Sequence, residues 1–123
     1  MSFFRRFFNR LAESDEERLS AEVRDWAAKV ADTTRIDAVA LRERVRVAGV
    51  VRRITVWPRE RDEAEYLEAL VSDGTGEVNA EWTGRRSIPG LSLGTRVVLE
   101  GVLRQDKTRP LLTMTNPKFD FVQ

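Results

Sequence analysis

Tyr66-Leu67-Glu68-Ala69-Leu70-Val71-Ser72-Asp73-Gly74-Thr75-Gly76-Glu77-Val78-Asn79-Ala80-Glu81-Trp82 reads as two strands joined by a tight turn. Leu67, Ala69 and Val71 alternate with Tyr66, Glu68 and Leu70. Val78, Ala80 and Trp82 alternate with Glu77, Asn79 and Glu81. A side-chain period of two puts each apolar triplet on one face of its strand. Asp73-Gly74-Thr75-Gly76 provides glycines for the positive φ of a tight hairpin, and an Asp that bonds its own backbone. Aspartic-protease chemistry would need a pair of such motifs, and the chain has one.

The same period extends outward. From about residue 44, Val45, Val47, Gly49 and Val51 alternate with Arg46, Ala48 and Val50, a strand that runs to Trp57 before Pro58. Residues 57–64 then form a charged loop. Gly84 to Gly94 is an irregular connection, Arg96 to Arg104 a fourth strand, and 105–110 a turn. Leu111 to Val122 is a fifth strand interrupted at Asn116-Pro117. Five strands in about 80 residues predict a small closed barrel, with Gly49 and Gly101 where strands must bend.

Upstream, the pattern is helical. Phe3, Phe4, Phe7, Phe8 and Leu11 fall at helical spacing, with Arg5, Arg6 and Arg10 between them. Ser14 and Glu17 read as a capping box. Leu19, Val23, Trp26 and Val30 then form one apolar stripe on a helix of about 14–31. Residues 1–34 are thus a helical extension and 35–123 the barrel domain.

Composition excludes several function classes. The 123 residues contain no Cys and no His. That removes disulfides, thiolate nucleophiles, zinc fingers and any imidazole base or metal ligand. No apolar run approaches the length of a membrane span, and the N-terminus lacks a secretory pattern, so the expected compartment is the cytoplasm. The net charge is +1, but it is unevenly spread: +3 over residues 1–10, −4 over 11–41 and +2 over 42–123. Electrostatic arguments must therefore rest on distribution.

Val47-Ala48-Gly49-Val50-Val51, Val71 to Gly76, Leu93-Gly94-Thr95-Arg96-Val97, Glu100-Gly101-Val102-Leu103 and Asn116-Pro117 together resemble the OB-fold of the tRNA-anticodon/RecG-wedge type. The chain looks most like the small actinobacterial OB-fold nucleic-acid-binding domain proteins, whose link after the third strand is similar to Trp82 to Gly90 here. The resemblance covers roughly residues 35–123. It implies a mainly β fold: a five-stranded Greek-key barrel that binds single-stranded or branched nucleic acid across its second and third strands. The first-to-second and fourth-to-fifth loops would clamp the ligand.

A sequence-tolerant binder needs cations for phosphates and aromatic faces for bases. Arg52, Arg53 and Arg59 cluster beside Trp57; Arg85 and Arg86 follow the third strand; Arg104, Lys107 and Arg109 crowd the last turn; Tyr66 points outward on the second strand. Each cationic group reads equally as a solvated surface. Glu68, Glu77 and Glu81 share the outward face with Tyr66 and repel phosphate. Trp82 reads as barrel core, Trp26 as the helix anchor, and Phe119 and Phe121 as core. No catalytic pair, metal site or cofactor site emerges, so the reading is of a non-enzyme. The rival is a protein-interaction or scaffold barrel. For residues 2–11 three readings stand: an anionic membrane surface, packing on a protein partner, or a frayed end.

Overall fold

In the computed structural model the backbone is described for residues 3–58 and 65–122, and the side chains for 15–57 and 65–122. One helix, α1 (Phe3–Ala28), replaces the two expected segments. Its backbone runs straight through Ser14, so the capping box there is not a helix start. Residues 3–13 contain no Gly or Pro to stop a helix, and a fresh start would cost a second nucleation. Leu19, assigned to the packing stripe, is 53% exposed. The other end of the stripe packs as expected: Trp26 and Val30, joined by Ala27, lie against Ala48, Val98 and Val122. The Arg96 guanidinium lies 4.9 Å from the centre of the Trp26 ring, a cation–π contact that adds to this anchor. The Phe/Arg side chains of residues 2–11 lie outside the described residues.

Six strands follow: β1 (Arg44–Pro58), β2 (Glu65–Ser72), β3 (Glu77–Thr83), β4 (Arg96–Gln105), β5 (Leu112–Thr115) and β6 (Lys118–Val122). β1 pairs with β2, β2 with β3, β3 in parallel with β5, β5 with β4, and β4 back with β1. That ring of five strands has the connectivity of an OB-fold barrel. The predicted fifth strand is split where its sequence was interrupted. Asn116 adopts φ 49°, and its backbone N–H donates to Glu81 O at 2.6 Å. Its side-chain oxygen accepts the Thr83 N–H at 3.0 Å. Asn tolerates this left-handed turn better than most residues. After it the chain leaves the Leu103–Gln105 end of β4 and pairs, as β6, with Arg96–Glu100.

The interior is filled by the alternating residues read from the sequence. Leu67, Ala69, Val71, Val78, Ala80 and Trp82 are all buried, together with Val47, Val51, Val97, Leu99, Leu103 and Met114. Ile88, from the connection before β4, and Ile36, from the 3-10 turn before β1, join the same cluster. Phe119 packs edge-on to Trp82 at 5.4 Å, and the Trp82 indole N–H donates to Pro117 O. Asp73 bonds its own turn, as expected: its Oδ1 accepts from the backbone N–H of Thr75 and of Gly76. Its Oδ2 also accepts the Ile36 N–H at 2.8 Å, which ties the segment before the barrel to the hairpin.

β1 serves two neighbours. Residues 44–50 pair with β4 and residues 50–58 with β2, with a register shift between Val51 and Arg53. Gly49 sits at this crossover. A Cβ there would lie 2.6 Å from Ser72 O and 2.7 Å from Val71 Cγ1, inside van der Waals distance of backbone that cannot retreat. Gly49→Ala should therefore lower stability by about 1–3 kcal/mol, the usual cost of overpacking. Urea unfolding followed by tryptophan fluorescence measures this, and an unchanged midpoint would show that the crossover has slack.

Candidate nucleic-acid interface

Strand alternation carries a second set of residues to the outside of the ring. On β1 these are Arg53, Thr55 and Trp57, opposite Leu70, Glu68 and Tyr66 of β2. Next come Asn79, Glu81 and Thr83 on β3, then Thr113 and Thr115 on β5. Trp57 and Tyr66 are direct cross-strand neighbours, so the register carries two aromatic residues to one end of the same face. Trp57 is 42% exposed and Tyr66 half-buried. Together with Glu81, Asp106, Thr108 and Arg109 they line a groove of about 310 Å³.

The loop between β4 and β5 forms one wall. It is organised as the Asp73 hairpin is. Asp106 Oδ1 accepts the backbone N–H of Thr108 at 2.9 Å and of Arg109 at 3.1 Å. These bonds, led by that from Thr108 N, hold the Asp106 carboxyl at about 2, well under its ordinary 3.8. Arg109 then latches the loop to the sheet. Its Nη1 donates to Glu68 Oε1 at 2.7 Å and its Nη2 to Asp106 Oδ2 at 3.2 Å. Glu68, on the outward face, is only 5% exposed. A carboxylate so buried requires its counter-ion. Burial, then the Glu68 and Glu81 carboxylates, push the Tyr66 hydroxyl above its ordinary pKa, so it stays a neutral phenol at physiological pH.

The expected site residues divide into three groups. Trp57, Tyr66 and Arg109 come together at the groove, but the charge of Arg109 is committed to carboxylates. Arg53, Arg85, Arg86, Arg104 and Lys107 are exposed on the strands and connections that flank it. Arg86 is 2.8 Å from Glu65 at the start of β2, and Arg104 Nη2 donates to Thr115 Oγ1 at 2.8 Å. Arg52 is exposed at the register shift of β1, and Arg59 lies outside the described residues. The Glu68–Arg109 latch was not expected, since nothing local links residues 41 apart. The Asp106 turn was legible, because Asp-Lys-Thr-Arg repeats the Asp-x-Thr spacing of the recognised hairpin.

A second cleft, between α1 and the barrel, is lined by Ala27, Ala48, Thr33 and Asp73 among others. Asp73 there is saturated by backbone donors, and the cleft is a packing seam.

No family model and no curated protein matches the chain. Among solved structures it is similar to RecG, in the structure of RecG bound to a three-way DNA junction. The TM-score is 0.61 at 15% identity, over 72% of this chain and 12% of that one. The chain thus spans a small part of RecG, and the likeness is one of fold, an OB-like barrel.

Arg109→Ala would strand the Glu68 carboxylate. Partial exposure of the arginine tempers the loss to about 2 kcal/mol. Urea unfolding at neutral pH measures it, and Glu68→Gln should cost less. Because Asp106 has a depressed pKa, its contribution is fully present above its ordinary value and is lost as pH falls toward 2. Acid titration of wild type against Asp106→Asn should show the variant losing less stability across that window.

Proposed function

We propose that this protein is a non-catalytic nucleic-acid-binding barrel of the actinobacterial OB-fold type, taking single-stranded or junction DNA across β2 and β3. The observation that carries this reading is the Trp57–Tyr66 pair, open to solvent on the strand face and walled by the β4–β5 loop. Paired aromatic faces bind any base by stacking, and the flanking cations supply phosphate attraction. The DNA junction in the RecG structure supports the choice of ligand class. A second reading, docking of a basic protein segment, draws on the carboxylates in the same groove.

The test is fluorescence anisotropy with a labelled single strand of about 20 nucleotides, longer than one OB-fold site, and with a three-way junction, at low and moderate salt. Trp57→Ala and Tyr66→Ala should each weaken binding by about 1–3 kcal/mol. Arg53→Ala with Lys107→Ala should flatten the salt slope by about 0.7 per lost single-strand phosphate contact. Absence of binding even at low salt, where phosphate attraction is strongest, would refute the reading.

A further inference from the structure

We propose that the groove is a base-reading site and that Glu81 makes it prefer guanine to thymine. This rests on the nucleic-acid reading above and deepens it. The argument begins with where the charges lie. The cations Arg53, Arg86, Arg104 and Lys107 stand on the flanking strands and connections, while the groove itself holds Glu81 and Asp106 and the neutralised Arg109. A phosphate is repelled from such a centre and attracted to its edge. What enters is the uncharged part of a nucleotide, its base, between Trp57, Tyr66 and the loop wall.

The carboxylates then decide which base. Asp106 is saturated: Oδ1 accepts from Thr108 and Arg109 backbone N–H groups, and Oδ2 from the Arg109 side chain. Glu68 Oε1 accepts from Arg109; its Oε2 is buried without a partner, but Glu68 is not part of the groove lining, so no ligand in the groove reaches it. Glu81 differs. Its side chain is only 16% exposed, and its nearest described cation, Arg104 Nη2, is 4.0 Å away and donates to Thr115 instead. Among the described residues no group donates a hydrogen bond to it. The Glu81 carboxylate lines the aromatic groove with acceptors that no described residue fills, so a base edge that brings donors can take them.

The base edges offer different donors. Guanine presents N1–H and the 2-amino group side by side, two donors that match the two oxygens of one carboxylate. Thymine presents a single N3–H flanked by two carbonyl oxygens, which a carboxylate repels. Adenine and cytosine present an amino group beside a ring-nitrogen lone pair, one good contact and one poor one. The groove therefore ranks guanine first and thymine last.

The experiment uses the full chain and anisotropy with labelled oligonucleotides of about 12 nucleotides, within the span of one OB-fold site. One is all thymidine, one carries spaced deoxyguanosines, and one carries deoxyinosine at those positions, which keeps N1–H but lacks the 2-amino group. Wild type should bind the guanine strand about tenfold more tightly than the thymidine strand, with inosine between. Glu81→Gln should bring that ratio toward one by weakening the guanine strand, with the thymidine strand losing nothing by removal of the carboxylate. The inosine comparison needs no variant, so it tests the idea even if Glu81→Gln folds poorly. Equal, salt-sensitive affinity for all three strands overturns base reading and leaves nucleic-acid binding standing. An unchanged ratio in Glu81→Gln overturns the role of Glu81. If no strand binds at low salt, both readings fall, and binding of a labelled arginine-rich peptide would then give the carboxylates to a cationic side chain.

Discussion

The architecture turns on a close approach of two backbones. Where β1 stops pairing with β4 and starts pairing with β2, Gly49 comes so near Ser72 that no side chain fits between them. That crossover lets one long strand belong to both halves of the sheet, and so closes the ring. The neighbouring backbone is secured as well. Val51 N–H donates to Thr95 O, and Gly94 N–H donates to Val51 O, so the connection before β4 braces the bend. With the bend held, Trp57 arrives opposite Tyr66, and Ala48 presents itself to α1.

On the outward face the exposed cations and the aromatic groove are separate. Exposed arginines and a lysine are spread over different elements. The groove between them is lined by Trp57, Tyr66, Glu81 and the β4–β5 loop. Arg109, the cation best placed to reach into that groove, instead neutralises Glu68 and fixes the loop. Its charge is used to form the wall rather than left free. A wall already ordered by Asp106 and Arg109 has less conformational entropy to lose when a ligand arrives.

The strands were legible because each is amphipathic with a period of two, and the barrel interior is the alternate set nearly without exception. Even the break at Asn116-Pro117 was visible, since proline cannot donate to a ladder and asparagine tolerates the left-handed turn. The helix was legible in kind but not in continuity. Ser14 and Glu17 have the local chemistry of a start, yet helix on both sides makes propagation cheaper than beginning again. The site was half legible. The outward position of Tyr66 followed from alternation and Trp57 was singled out beside its arginines, while the Glu68–Arg109 pair was not seen, because a contact between distant segments leaves no local signal.

The double service of β1 also orders the assembly of the fold in time. β2 and β3 are joined by a four-residue turn, and such hairpins form within about 1–10 μs. The seam between residues 44–50 and 96–102 must instead gather chain ends separated by the whole hairpin and the connection after it. Its loop-closure entropy is spent before its ladder bonds are gained, so it is the slow step. The same seam supplies Ala48 and Val98, on which Trp26 and Ala27 rest. The surface on which α1 rests thus straddles the seam and is complete only when the ring is shut.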